Sequence, residues 1–101
     1  MEQQNLTIIK RDGTTAPFSM DKITHSIEKA FLSLGSQVGM EALSRILSHI
    51  RFYDGITVED IQNQVEIALM EEKFFDAAKS FMLYRQKHSE DRFTMEQLKF
   101  L

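Results

Sequence analysis

Lys10 and Arg11 stand side by side ahead of Asp12 and Gly13, and Lys22 follows in the next segment. Cations placed in this way suit anion binding. Neighbouring residues at the end of a strand point to opposite faces, so one of the first two can face a cleft. Lys22 falls in the first turn of a helix, where free backbone N–H groups already favour negative charge. A hairpin cation and a helix-start lysine together suit a phosphate chain, and they equally suit a plain hairpin with incidental basic residues. Other chemistry finds little support. His25, His49 and His88 have no metal-ligand spacing and read as surface or rim histidines. The four glycines are isolated, which excludes a Gly-rich phosphate loop, and no nucleophile elbow occurs. The absence of cysteine excludes disulfides, thiolate zinc sites, iron–sulfur clusters and a cysteine nucleophile. The acidic pairs Glu59/Asp60 and Glu71/Glu72 lie in helical patterns, where adjacent side chains diverge by about 100°, so they read as solvated helix acids rather than paired catalysts.

The elements that would position these cations follow from periodicity. Residues 6–10 (LTIIK) are rich in β-branched types and run into Asp12 and Gly13, and TTAPFS beyond them reads as a return strand. Pro17, which cannot donate to a ladder, puts that strand at a sheet edge. From Ser19 the period becomes helical: Ile23, Ile27, Ala30, Phe31 and Leu34 share a face, with Ser19 as cap and Gly35 as stop. A second helix begins near Met40, carries Leu43, Ile46, Leu47 and Ile50, and ends before a turn at Asp54 and Gly55. Thr57 with Asp60 resembles a capping box opening a third helix with Val58, Ile61, Val65, Ala68 and Leu69 inward. A fourth runs from about Phe75 through Ala78, Phe81, Met82 and Arg85 to about His88. The polar residues 89–92 (SEDR) predict a helix end or tether. Thr94 with Gln97 then caps a last short helix whose Met95, Leu98 and Leu101 pack back on the bundle or dock elsewhere.

Composition agrees with one globular domain: 101 residues, 43% hydrophobic and 27% charged. No run of about 18 apolar residues occurs, and the opening MEQQNLTIIKRDG lacks the blocks of a signal peptide, so a cytoplasmic protein is expected. A chain of this length buries roughly 60–70% of its unfolded surface, enough for one core and a surface cleft but not an enclosed catalytic cavity. Net charge is −3, which argues against a general polyanion binder. Local basic charge nevertheless gathers at Lys79, Arg85 and Lys87.

The string IIKRDGTTAPFSMDKI, followed by Ile27, Lys29 and Ala30, resembles the opening of the ATP-cone, the regulatory nucleotide-binding domain of ribonucleotide reductases. FYDGITVEDIQNQVE and AAKSFMLYR resemble the family's second and third blocks in order and spacing, over about residues 6–88. The resemblance implies an α+β fold in which a small, roughly three-stranded sheet caps a four-helix bundle, with ATP or dATP bound between them. It places a third strand near residues 54–57, where periodicity shows none. Lys10 and Arg11 match the phosphate-contacting pair, Lys22 the lysine beside the triphosphate, and Ile8 and Ile23 apolar positions around the adenine. Lys79, Tyr84 and Arg85 match a block associated with a second nucleotide in some members, and Lys87 a late basic residue in others. Two departures, Ala16 for an acidic residue and Val58 for a threonine, bear on sugar contacts more than on phosphate contacts.

The resemblance further implies a domain without catalysis of its own, leaving a reductase active with ATP and switching it off with dATP through oligomeric contacts. Mg2+ is expected with the triphosphate, held mainly by phosphate oxygens and water. Expected partners are adenine nucleotides, a catalytic or radical-generating reductase subunit and further copies of the domain, without membrane or direct nucleic-acid contact. Residues 1–89 would form the cone and 90–101 a tether and short helix leading to the reductase core or a partner. A cone module of a nucleotide-sensing transcriptional regulator is an alternative, although the lack of cysteine removes the zinc ribbon of that family. A plain helical interaction domain is another.

Overall fold

The computed structural model describes residues 6–98 of the chain, with side chains as far as residue 86. Two short strands, β1 (Thr7–Ile9) and β2 (Thr15–Pro17), form the N-terminal hairpin, followed by α1 (Met20–Leu32) and α2 (Met40–Ser48). A two-residue strand, β3 (Ile56–Thr57), leads directly into α3 (Val58–Glu71), and α4 (Phe75–Leu98) completes the described chain. The architecture is α+β: four helices with a mixed three-stranded sheet of order β2-β1-β3.

The hairpin forms for the reasons its sequence suggests. Gly13 adopts φ 88, the left-handed region open to glycine, and the Asp12 carboxylate accepts from the Thr14 amide at 3.0 Å and the Thr14 hydroxyl at 2.7 Å. Those bonds, the hydroxyl's first, hold the Asp12 carboxyl below the usual carboxylate range. Antiparallel pairing sets Ile8 opposite Ala16 and Thr7 opposite Pro17, which occupies the edge strand as expected. On its other side β1 pairs in parallel with β3, Ile8 opposite Ile56. Asp54 fastens this joint by accepting from the Thr7 amide at 2.8 Å, while the Gly55 amide donates to the Thr7 carbonyl at 2.7 Å. A strand of two residues is too short to show alternation, which is why only the family resemblance anticipated it.

Several helix boundaries differ from expectation. Ser19 occupies the N-cap of α1, but its side chain makes no capping hydrogen bond. Thr57 does cap α3, its hydroxyl accepting from the Asp60 amide at 3.0 Å. The reciprocal half of a capping box is missing because Asp60 instead accepts from the Tyr53 hydroxyl at 2.7 Å, a bond that raises the Tyr53 pKa. Leu34 lies beyond α1 and is exposed, and Met82, expected inward on α4, is also exposed. The larger departure is α4, whose helix passes unbroken through residues 89–92 to Leu98 instead of ending near His88. Neither Gly nor Pro interrupts that stretch, and polarity alone does not stop a helix. Leu101 and the side chains of Met95 and Leu98 lie outside the described residues.

The core lies where the apolar stripes of the helices meet the inner face of the sheet. Ile27, Ile46, Ile56, Val65 and Leu69 are fully buried, with Phe31 and Phe81 beside them, and Leu47 packs at the margin. Phe74 closes one end with its ring edge-on to Phe31 at 5.2 Å between centroids. The Ser33 and Ser80 hydroxyls share a hydrogen bond that ties the end of α1 to α4. No described residue that is polar or charged is buried. No helix among the described residues is long and apolar enough to cross a membrane.

Candidate functional site

The apolar stripes do not close completely where the sheet meets α1, α3 and α4. A cavity of about 190 Å³ remains there. Each element contributes according to its own period. β1 contributes Ile8, α1 contributes Lys22, Ile23 and Ser26, α3 contributes Val58, Ile61, Gln62 and Val65, and α4 contributes Phe81, Tyr84 and Arg85. Pro17, Phe18 and Ser19 complete the wall from the link between β2 and α1, with Phe18 braced edge-on against Phe52 at 5.0 Å. The lining is largely aliphatic and aromatic with a few polar groups, the usual make-up of a small-molecule site. Its volume is below the roughly 300–1,000 Å³ of a site enclosing a whole drug-sized ligand, so it suits a flat ring system with the rest of the molecule outside.

Charge is distributed unevenly around this cavity. Lys22 sits on its wall in the first turn of α1 and makes no ion pair or side-chain hydrogen bond among the described residues. Beside it, Ser19 at the N-cap brings the N–H end of α1, which has no side-chain cap but carries Asp21 in its first turn, to the same wall. Arg85 also lines the cavity but is already engaged. Its Nη1 donates to Glu66 Oε2 at 2.6 Å and to Asn63 Oδ1 at 2.9 Å, with the pair's side chains only 19% and 17% exposed. Lys29 Nζ stands 5.8 Å from the centroid of the Tyr84 ring, a cation–π contact between α1 and α4.

Of the residues singled out from sequence, Ile8, Lys22, Ile23, Tyr84 and Arg85 converge on this cavity, whereas Lys10, Arg11 and Lys79 do not line it. Lys10 is exposed on the hairpin. Arg11 reaches instead to α3, donating from Nη1 to Glu59 Oε2 at 3.3 Å and from Nη2 to Gln62 Oε1 at 2.9 Å. Since Gln62 lines the cavity, Arg11 lies one side chain behind its wall. The block with Lys79, Tyr84 and Arg85 is split, because Lys79 is exposed on another side of α4, and the Lys87 side chain lies outside the described residues. Gln62, Ser26 and Phe18 were not anticipated. Gln62 could have been found from its spacing of four after Val58, but only packing shows that this side of α3 meets a cavity rather than solvent.

The described lining contains no histidine or carboxylate, the side chains that most often perform acid–base catalysis. No described group of three or more His, Cys, Asp or Glu side chains could hold a metal ion. Apolar walls, a lysine with no side-chain partner among the described residues and a helix N-terminus suit a ligand with a flat apolar part and an anionic part. The ATP cone domain family model matches residues 6–90, and the chain belongs to this family of allosteric nucleotide-binding domains.

The chain is 41% identical over 88 residues to a vitamin B12-dependent ribonucleoside-diphosphate reductase of Thermoplasma acidophilum, covering 79% of this chain and 12% of that protein. It is 33% identical over 105 residues to the alpha subunit of a ribonucleoside-diphosphate reductase of Chlamydia pneumoniae, covering 91% of this chain and 10% of that one. An anaerobic ribonucleoside-triphosphate reductase of Haemophilus influenzae is 31% identical over 88 residues, covering 80% of this chain and 12% of that protein. The chain thus spans about a tenth of the length of these curated relatives.

Proposed function

We propose that this chain is the effector-sensing domain of a ribonucleotide reductase, taking ATP as activator and dATP as inhibitor in the cavity between the sheet and α1, α3 and α4. The observation that carries this reading is the pairing of an apolar chamber, walled by Ile8 and Ile23, with Lys22 at the N-terminal end of α1, which has no side-chain partner among the described residues. The base occupies the chamber, and the phosphates follow the helix start toward Lys10 and Arg11 of the hairpin. Mg2+ accompanies the triphosphate on phosphate oxygens and water. Lys79, Tyr84, Arg85 and Lys87 belong to the same proposal as contacts for a second nucleotide, Arg85 being the least available because Glu66 holds it.

ATP and dATP share their phosphates and base, so opposite effects require the ribose 2′ position to favour different states of the domain. A ligand with equal affinity for two states shifts neither. Those states would act through association of cones with one another or with a catalytic or radical-generating subunit. Residues 1–89 form the sensing domain and 90–101, entered as a continuation of α4, lead to that core. The whole protein works in the cytoplasm, and catalysis belongs to its other domains. Calorimetric titration with ATP, dATP and dCTP tests the site: tight binding of both adenine nucleotides with much weaker dCTP is expected, and equal binding of dATP and dCTP overturns the adenine chamber.

A further inference from the structure

One strip of α3 carries Glu59, Gln62, Asn63 and Glu66, spaced so that all four lie along the same side of the helix. Each end of the strip holds an arginine from a different element. Arg11 of the hairpin takes Glu59 and Gln62, and Arg85 of α4 takes Asn63 and Glu66, so each guanidinium meets one carboxylate and one amide. The two clamps differ in strength. The Arg85–Glu66 contact is short and mostly screened from water, and opening it would strand a charge in a poorly solvated place. The Arg11–Glu59 contact is 3.3 Å long, with side chains 30% and 60% exposed, and pairs of that kind contribute little.

A phosphate is a better partner for a guanidinium than such a carboxylate, because it offers more charge and several strong acceptor oxygens. We propose that Glu59 is a tethered competitor for Arg11: in the ligand-free domain its carboxylate occupies the guanidinium, and a nucleotide's phosphates must displace it. The proposal rests on the nucleotide reading above, specifically on Arg11 meeting the phosphates. Glu59 therefore sets the affinity downward, and the Arg85–Glu66 clamp stays closed throughout. The exchange also has a consequence for α3. When Arg11 leaves, the Glu59 carboxylate and the Gln62 amide are released together, so each bound polyphosphate uncovers one negative charge on the first turn of that helix. A ligand lacking phosphates cannot drive the exchange.

Titration calorimetry of the chain with ATP and with adenosine, on the wild type, Glu59→Gln, Glu59→Ala, Arg11→Ala and the Arg11→Ala/Glu59→Gln double variant, tests this. Glu41→Gln, which removes an exposed charge on α2, serves as the control for net charge. Both Glu59 variants are expected to tighten ATP by about two- to fivefold, the range set by an exposed ion pair. Adenosine affinity should stay unchanged, and Glu59→Gln should add nothing once Arg11 is gone. Thermal melts establish that each variant is folded, as the exposure of Glu59 leads one to expect. If Arg11→Ala weakens ATP binding but neither Glu59 variant tightens it, the competition is overturned and the nucleotide site stands. An equal gain with and without Arg11, or an equal gain from Glu41→Gln, assigns the effect to general repulsion and overturns it as well. A wild-type chain that binds no ATP, or binds it independently of Arg11, overturns the underlying reading together with the proposal.

Discussion

His49 shows how a residue of no apparent purpose in the sequence acquires one in the fold. It lies just beyond α2 with its ring between the two acids that end α3: Nδ1 is 3.1 Å from Glu71 Oε1 and Nε2 is 2.8 Å from Glu72 Oε2. Arg45 Nε donates to the other oxygen of Glu72 at 2.9 Å. The expectation that these adjacent acids are simply solvated does not hold, because Glu71 and Glu72 take opposite edges of one imidazole. Hydrogen bonds from His49 and then Arg45 hold the Glu72 carboxyl below its ordinary value of 4.5. A carboxyl depressed in the folded state stabilises above its unfolded pKa, and that stability disappears as pH falls through the folded value. Glu72→Gln is therefore expected to lower the melting temperature at neutral pH and to shrink the gap between variant and wild type below about pH 4. A gap that stays constant across the acid range would show that the contact is indifferent to this charge.

The arginines and Lys22 separate by the same kind of reasoning. Lys22→Ala and Arg11→Ala are expected to weaken ATP binding by about 1.5–3 kcal/mol each, as lost charge-assisted contacts do, while costing well under about 1 kcal/mol of stability. Arg85→Ala should differ in its cost to stability, because it leaves Glu66 partly buried without its partner. It should cost about 1–3 kcal/mol of stability, and Glu66→Ala in the same chain should return part of it. Binding titrations paired with thermal melts check all three variants.

Helices α1 and α3 end in the same hydrogen-bonded motif but with different residues at its left-handed position. After α1, the Gly35 amide donates to the Leu32 carbonyl and the Ser36 amide to the Phe31 carbonyl, with Gly35 at φ 75. After α3, the Lys73 amide donates to Met70 and the Phe74 amide to Leu69, with Lys73 at φ 67. Lys73 is the sole described non-glycine residue at positive φ, a conformation that a Cβ makes costly. Lys73→Gly is expected to stabilise the chain by about 0.5–1 kcal/mol, after subtracting the larger entropy glycine loses on folding, which corresponds to a few degrees in melting temperature. An unchanged or lower melting temperature would indicate that the Lys73 side chain offsets its backbone strain.

The helices themselves were largely legible, because stripes such as Ile23, Ile27, Ala30 and Phe31 span enough turns to show a period. β3 was legible only through the family resemblance, and the continuation of α4 was not. The first is two residues long, and the second turns on the absence of a stop signal rather than the presence of one. The site was legible in part for a related reason. Ile8, Ile23 and Lys22 sit on elements whose facing direction follows from a hairpin and one helix, whereas the contribution of α3 depends on where its core stripe runs out against the sheet. Val58, Ile61 and Val65 read equally well as plain core, and Gln62 gives no signal apart from them.

The domain as a whole carries its exposed apolar groups partly along one side of α4. Phe75, Lys79 and Leu83 follow at spacings of four, so they share a face, and Phe75 and Leu83 are each 61% exposed. That face is turned away from Tyr84 and Arg85, which point to the cavity. If dATP promotes association of cones, as proposed above, a mixed apolar and basic strip of this kind suits a contact with a neighbouring copy or with the reductase core. Net charge of −3 opposes self-association at long range, so the short-range contact must carry the specificity. Leu83→Glu would add a charge to the middle of the strip without touching the cavity. It is expected to leave dATP affinity within about twofold while abolishing any dATP-dependent mass increase in light scattering. Wild-type mass that stays the same at saturating dATP, or an increase that survives Leu83→Glu, removes this face of α4 from the mechanism. Loss of both binding and association would instead show that α4 couples the strip to the cavity, since the two sets of side chains alternate along the same helix.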